Sequence, residues 1–299
     1  MSEDLLLFTA ETEMAEVARP LLAAQLSIME QHRPALVAAA EVTAVHETRK
    51  AIRRTFTGFK LFRPFFEPGV LEPYRRRLRK MMRYLGAARD TAVFRQKLHL
   101  YMEESGDDLA CLAAYWEGRQ AEIDEALCGY MGKPKREKFW QEYGRFVHTP
   151  GLDVLPNPDP FAPMSAAHYV PVLIYQRLAG VRAYANRLEN APLERLHMLR
   201  IQGKELRYTL QFFAPLLGPE IEPVQATLER MQEHLGALQD AAIGLKMLAE
   251  TVGCETAVAA YRAVQAREIT QLVAAFPAIW HDVNSPAWRR DLAAAISVL

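Results

Sequence analysis

The feature that most constrains the fold of this chain is an internal repeat. The segment VHETRKAIRR contains His46 and is followed by LGAARD at 85–90, whereas LHMLRIQGKELRY contains His197 and is followed by LGALQD at 235–240. The two histidines are 151 residues apart, and the leucines that begin the second motif, Leu85 and Leu235, are 150 apart. Because two separate motifs keep one register, the sequence predicts two similar halves.

Both halves are rich in good helix formers, and apolar residues recur at helical spacing. The pattern therefore predicts an all-α fold. The one clear linker is PGLDVLPNPDPFAP, which contains five prolines in fourteen residues. We divide the chain into a first repeat (1–149), a linker (150–164) and a second repeat with a short C-terminal extension (165–299). The predicted helices cover 13–40, 43–64, 70–104, 108–131, 135–148, 165–190, 192–216, 220–251 and 255–276, with a short last helix after them.

The cysteines Cys111, Cys128 and Cys254 are odd in number, widely spaced and without a C-x-x-C motif. We therefore expect neither a disulfide framework nor a zinc site, and a reducing cytoplasm as the location. The N-terminus is acidic and lacks a basic region, so no signal peptide is expected. No apolar run reaches transmembrane length.

Basic residues form one stripe on a helix in each half, because their spacing returns to the same helical face. Such a row of like charges repels itself unless an anion lies along it. Each turn would present a cation about every 5 Å, which suits an extended phosphate chain. The members are His46, Arg49, Lys50, Arg53, Arg54 and, further along, Lys60 in the first half, and His197, Arg200, Lys204 and Arg207, with Tyr208 beside them, in the second.

The formal net charge of the chain is zero, but the charge is unevenly distributed. Residues 46–89 hold thirteen Lys or Arg against three acids, a net charge of +10, and RRRLRK at 75–80 supplies much of this. Residues 193–240 hold five basic and seven acidic residues, a net charge of −2. We therefore expect the first half to supply more of the binding energy for a polyanion.

Each Leu-Gly motif places a glycine inside a long predicted helix, where glycine costs about 1 kcal/mol relative to alanine. For Gly86 and Gly236 we expect a close approach between helices as the reason. The acids that follow, Asp90 and Asp240, are predicted to orient a basic residue of the stripe. A catalytic or metal-binding role for these two acids is the less favoured interpretation.

These residues resemble the CHAD family, named for conserved histidines in an α-helical domain. The resemblance rests on VHETRKAIRR with LGAARD and on LHMLRIQGKELRYTLQFF with LGALQD, and it covers roughly residues 13–276. It implies two similar four-helix bundles related by pseudo-twofold symmetry, with a basic groove or pore between them that binds inorganic polyphosphate. One departure is that Gln239 stands where the first half has Arg89.

Together with the residue patterns, the resemblance leads us to expect a cytoplasmic protein that binds polyphosphate without catalysis and needs no cofactor or metal. Localisation to polyphosphate granules, with other granule-associated proteins as partners, is a further possibility. Nucleic acid, another phosphorylated ligand and hydrolysis of a phosphate chain are the alternatives. No H-E-x-x-H, P-loop, G-x-S-x-G or G-x-G-x-x-G motif occurs. Phe56, Phe59, Phe62 and Phe66 share helical spacing and are interpreted mainly as core residues, which leaves few aromatics for stacking on bases.

The predicted polyphosphate-binding residues combine the two stripes with neighbouring cations of the third and eighth predicted helices. They are His46, Arg49, Lys50, Arg53, Arg54, Lys60, Arg76, Arg79, Lys80, Arg83, Arg89, His197, Arg200, Lys204, Arg207, Tyr208, Arg230 and His234.

Overall fold

A computed structural model describes residues 8–157, 159, 161–184, 188 and 191–299. Within these ranges the chain forms ten α-helices and no strand beyond two isolated bridges, so the predicted all-α class is confirmed. The helices are α1 (Met14–Ala39), α2 (Val42–Phe62), α3 (Leu71–Ser105), α4 (Ala110–Met131), α5 (Glu137–His148), α6 (Ala166–Arg182), α7 (Leu193–Phe213), α8 (Ile221–Glu250), α9 (Glu255–Val283) and α10 (Pro286–Ile296).

The predicted helix over 165–190 ends earlier, at Arg182. Residues 185–187 and 189–190 of that prediction lie outside the described residues, as do 1–7 of the first repeat and 158 and 160 of the linker. The other helix ends fall close to their predicted positions, except that α9 continues to Val283 through Pro277.

The helix that carries the first basic stripe has a well-defined start. The Glu41 carboxylate caps α2 by accepting hydrogen bonds from the backbone N–H groups of Thr43 and Ala44, both at 2.9 Å. These hydrogen bonds lower the pKa of Glu41, because they favour its charged form. The cap satisfies two of the backbone donors that a helix leaves open at its first turn, and it fixes where the stripe begins.

Each half packs internally and then meets the other half through equivalent helices. In the first half α1 contacts α2, α4 and α5, and in the second α7 contacts α6 and α8, while α8 also contacts α9 and α10. Between the halves α1 contacts α6, α2 contacts α7, α3 contacts α8 and α4 contacts α9. The pseudo-twofold relation of the halves stays a prediction, and this pairing of equivalents is the arrangement that such an axis would produce.

One hydrophobic core runs through both halves. Phe62 ends α2 and Phe213 ends α7, both are fully buried, and their rings meet edge to face with centroids 6.2 Å apart. Phe59 and Phe66 are buried as well, which confirms that these aromatics belong to the core. Phe56 is half-buried at the edge of this cluster. The shared core holds α2 and α7 side by side.

The Pro-rich segment after α5 is tied to the first half by a buried arginine. Arg19 is only 4% exposed and donates hydrogen bonds to the carbonyl oxygens of Phe146 at 2.6 Å and Leu152 at 2.7 Å. Its Nε–H also meets the Glu16 carboxylate at 3.0 Å. Because buried carbonyl groups need partners, this side chain fixes the path by which the chain leaves α5.

A second, smaller core lies where the ends of α3 and α8 meet the starts of α4 and α9. It contains Trp116, whose indole N–H donates to the Thr251 hydroxyl at 3.0 Å. Beside it Cys111 and Cys254 form a disulfide, with their Cα atoms 5.9 Å apart. This core and its disulfide join one half of the chain to the other.

The disulfide shows that the prediction from the cysteines was wrong. A separation of 143 residues hid the pair, because sequence spacing does not reveal which helix ends meet. Disulfides persist mainly in oxidising surroundings, so the predicted cytoplasmic location loses the support that it drew from the cysteines. Cys128 is the free thiol. Of the helices that the structure describes, none has the length and apolar content needed to span a bilayer.

We expect Cys111→Ser to lower the stability of the oxidised protein, because the disulfide restricts an unfolded loop of 143 residues. Such a cross-link typically contributes about 2–4 kcal/mol. Thermal unfolding with and without a reductant measures this effect, and Cys128→Ser is the matched control. Equal melting temperatures for wild type and Cys111→Ser without reductant would contradict the expectation.

Candidate functional site

The stripes of the two halves face one cavity of about 600 Å³, bounded by α2, α3, α7 and α8. We call it the basic cleft. It therefore lies between the halves, where the sequence repeat leads us to look for a site. Its lining residues are His46, Arg49, Lys50, Arg53, Arg89, Asp90, His197, Arg200, Lys204, Arg207, Tyr208, Glu229, Glu233, Gln239, Asp240 and Ile243.

A second cavity of about 340 Å³ adjoins the basic cleft between α2, α3 and α7. Lys60, Arg75 and Arg79 line this second cavity but not the basic cleft, so the basic surface extends beyond the cleft. Arg75 was not among the predicted binding residues, although it lies one helical turn before Arg79 on the same face of α3. The residues that line both cavities are Arg53, His197, Arg200, Lys204 and Tyr208.

Arg53, Arg200 and Lys204 lie where the two cavities meet. Among the described residues no carboxylate lies within ion-pair distance of any of the three. Other cations of the stripes are paired: Arg207 contacts Glu229 at 2.8 Å, and Lys60 donates to the buried Glu205. The unpaired positive charge is therefore concentrated in the middle of the site.

The pKa values of the buried cations record this concentration of charge. Burial, reinforced by the charges of Arg53, Arg200 and other neighbours, lowers the pKa of Lys204 to about 6. Burial and the charge of Arg53 likewise lower the pKa values of Arg200 and Arg49, each to about 10. With a pKa of about 6, the amine of Lys204 is mostly neutral at pH 7.5, and an anion beside it would favour its charged form.

Arg49 belongs to the histidine motif and contacts Gly86 of the Leu-Gly motif, which gives a reason for the fixed spacing of the two motifs. Its side chain is 9% exposed and passes next to Gly86, where an added Cβ would lie 3.0 Å from the Nη1 atom of Arg49. The Asp90 carboxylate is 3.7 Å from the Nη2 atom. In the second half a Cβ on Gly236 would have Arg200 as its nearest neighbour, at 3.9 Å. Gly86 thus makes room for an arginine of the first stripe, whereas a methyl group at Gly236 would meet Arg200 only at ordinary contact distance.

Asp240 binds an arginine of the other half. Arg89 donates two hydrogen bonds to this carboxylate, at 2.6 and 3.1 Å. Burial works against the charged guanidinium, but the hydrogen bonds and the charge of Asp240 outweigh it, so the pKa of Arg89 is raised. At the equivalent position of the second half Gln239 hydrogen-bonds the Nδ1 atom of His197. The acid was expected to hold a stripe residue, and it instead joins the two halves across the cleft.

Comparison with known proteins places this architecture in a family. The model of the CHAD domain matches residues 20–249, more than two thirds of the chain. The chain belongs to the CHAD family. It is similar to the crystal structure of the CHAD domain from the plant Ricinus communis, with a TM-score of 0.79, 20% identity and coverage of 95% of this chain and 96% of that one. It also resembles PptA from Streptomyces chartreusis, with a TM-score of 0.66, 15% identity and coverage of 90% and 100%. No curated protein sequence matches it.

The structure of this CHAD domain does not bring every predicted residue to the basic cleft. His234 contacts the Leu272 carbonyl oxygen at 2.8 Å and Arg230 lies 3.8 Å from Asp282, so both face α9. Arg54 donates to Gln211 at 3.0 Å and lies over the Tyr208 ring. The remaining three cations, on the outer face of α3, are Arg76, Lys80 and Arg83.

The two motif glycines of the CHAD repeat offer a matched pair of substitutions. Gly236→Ala adds a methyl group at ordinary contact distance, so it should stabilise α8 by about 0.5–1 kcal/mol. Gly86→Ala should gain less, because its Cβ would press on the guanidinium of Arg49. Urea unfolding of both variants gives the two free energies. An equal or larger gain for Gly86→Ala would show that Arg49 moves away freely.

Proposed function

We propose that this protein binds inorganic polyphosphate in the basic cleft and does not cleave it. The observation that carries the proposal is the group of three unpaired cations where the two cavities meet. Arg53, Arg200 and the protonated form of Lys204 repel one another in the free protein, because no carboxylate of the described residues forms an ion pair with them. An anion that lies among them removes this repulsion, so binding and relief of repulsion are coupled.

The extent of the basic surface favours a chain of phosphates over a single small phosphate. Along α2 the lining residues run from His46 to Lys60, which corresponds to about 21 Å of helix. On α7 the lining residues run from His197 to Tyr208, about 16 Å. A flexible anionic chain could contact the paired ends and the unpaired centre at once, whereas one phosphate could reach only a few cations.

The acids in the cleft support a binding role. Asp90 contacts Arg49 and Arg89, Asp240 contacts Arg89, and Glu229 contacts Arg207. Hydrolysis of phosphate chains commonly relies on carboxylates that hold divalent cations next to the phosphates. In the described part of the chain no three His, Cys, Asp or Glu side chains are grouped so that they could hold a metal. The acids here are positioned to orient arginines.

Polyphosphate is favoured over nucleic acid by the shortage of exposed aromatic rings in the basic cleft. Single-stranded nucleic acids gain affinity when bases stack on aromatic side chains. Tyr208 is buried and lies beneath the guanidinium groups of Arg54 and Arg207, so its ring is already covered. Family membership supports the same ligand, since polyphosphate binding is what the resemblance to CHAD domains implies. Association with polyphosphate granules, and through them with other granule proteins, would follow from such binding.

Replacing the two unpaired arginines should weaken polyphosphate binding strongly. A hydrogen bond to a charged group contributes about 1.5–3 kcal/mol, so each replacement should cost about tenfold or more in affinity. We expect Arg53→Gln/Arg200→Gln to lose at least about a hundredfold in a fluorescence binding assay with labelled polyphosphate. The free variant should not be less stable than wild type, because the substitution removes repelling charges.

The control for this experiment is Arg76→Gln, which removes one positive charge from the exposed outer face of α3. Its affinity should stay within about twofold of wild type, because it lies outside both cavities. Equal losses of affinity for the control and the double variant would show that the interaction is only non-specific electrostatic attraction. Displacement of the bound polyphosphate by DNA of equal charge at physiological salt would point to nucleic acid as the ligand.

Polyphosphate binding should take up a proton at Lys204. Its pKa of about 6 leaves the amine mostly neutral at pH 7.5, and a bound polyanion raises that pKa, so affinity should fall as the pH rises above 6. Titration calorimetry in buffers of different ionisation enthalpy counts the protons bound. Lys204→Arg keeps the charge but does not titrate in this range, so its proton uptake at pH 7.5 should be smaller by nearly one. Equal proton uptake in both proteins would mean that Lys204 is already charged.

A further inference from the structure

The walls of the basic cleft are joined to each other along two pairs of helices. Between α2 and α7 the contact is apolar and centres on the buried rings of Phe62 and Phe213. Between α3 and α8 it includes the ion pair of Arg89 with Asp240, and both of these residues line the cleft. The cations that α2 and α7 bring to the cleft repel one another. Both contacts therefore act against a force that separates the walls.

The contact between α3 and α8 continues from the cleft into the smaller core. Gly244 lies one helical turn after Asp240 on α8, and a Cβ at this glycine would be 3.5 Å from the ring of Phe94 on α3. The Phe94 ring in turn packs on Trp116 of α4 and Tyr261 of α9, with centroid distances of 5.4 and 5.8 Å. The smaller core is thus packed directly beside the ion pair that bridges the cleft.

A covalent bond closes this smaller core. Cys111 lies in the first turn of α4, Cys254 immediately precedes α9, and their disulfide joins the two halves of the chain. Beside it the Trp116 indole donates a hydrogen bond to the Thr251 hydroxyl, which is far weaker than a cross-link between distant parts of a chain. The disulfide therefore has a large share in holding α4 against α9 and, through the shared core, α3 against α8.

The disulfide can be reached by a reductant from the side of α4. Cys111 is exposed, whereas Cys254 is 8% exposed. A thiolate of a dithiol can attack the Sγ atom of Cys111, and Cys254 then leaves as a thiolate that takes up a proton. The second thiol of the reductant displaces Cys111 from the mixed disulfide, and Cys111 is protonated in turn. One protein disulfide and one dithiol become two protein thiols and one oxidised dithiol.

We propose that the Cys111–Cys254 disulfide is a redox switch for the basic cleft. In the oxidised protein the bond holds the walls at the spacing that binds polyphosphate, and reduction by a dithiol lets the repelling walls move apart at Arg89 and Asp240. A preorganised site binds more tightly, because less order has to be imposed when the ligand arrives. The inference rests on the proposed function, since it concerns regulation of the same site.

The test compares the affinity of oxidised and dithiothreitol-reduced wild type for labelled long-chain polyphosphate at one pH and ionic strength. Thiol titration of denatured samples verifies the two states. Coupling of this kind typically changes affinity by about fivefold or more, so the reduced protein should bind at least about fivefold more weakly, and reoxidation should restore the affinity. Equal affinities would overturn the switch while leaving the proposed function intact. Absence of binding in both forms would refute the proposed function itself.

Cysteine variants show whether the reductant acts at this bond. Cys111→Ser/Cys254→Ser should bind like reduced wild type, with or without dithiothreitol. Cys128→Ser retains the disulfide and should respond as wild type does. A response of the double variant to dithiothreitol would overturn the proposal, because the reductant would then act elsewhere.

Two further measurements distinguish opening of the cleft from unfolding. Circular dichroism at the assay temperature should give the same helical signal for both redox states, and loss of that signal on reduction would overturn the proposal. Hydrogen exchange should become faster on reduction in α3 after Arg89 and in α8 after Asp240, but not near Phe62 and Phe213. Unchanged exchange in α3 and α8 would equally overturn it.

Discussion

The rest of the structure depends on the apolar contact between α2 and α7, which holds the cations of both helices in one cleft despite their mutual repulsion. Arg53, Arg200 and Lys204 are kept close because the hydrophobic core beneath them, with Phe62 against Phe213, joins the two helices. Burial of apolar surface is worth far more than the interaction of a few partly screened charges. The core can therefore maintain an arrangement of charges that the cleft alone would not adopt, in which burial and then the neighbouring cations lower the pKa of Lys204.

Much of the fold could be predicted, because helical periodicity and the internal repeat are both visible in the order of the residues along the chain. The constant spacing of the two motifs also has a physical reason, which cannot be read from the sequence. Gly86 and Arg49 lie on different helices, and only their contact shows that the glycine exists to admit the arginine. The repeat predicted which residues belong together, and the structure shows which atoms meet.

The parts that sequence analysis missed depend on distant contacts. Arg230 and His234 share α8 with residues of the cleft, but their side chains contact α9. The helical periodicity of α8 does not reveal where α9 packs against it. Glu205 looks like an ordinary acid within the second stripe, yet it is buried and holds Lys60. The pairing of Cys111 with Cys254 requires knowing that α4 and α9 begin side by side.

The Cys111–Cys254 disulfide also changes what the Pro-rich segment does for the molecule. All of residues 150–164 lie between the two cysteines in sequence, so the disulfide and the backbone together form a closed ring. A single cleavage of the backbone in that segment would open the ring but leave the halves covalently joined through the disulfide. With the bond oxidised, the backbone connection between the halves is redundant, and a nicked chain could keep both walls of the cleft in place.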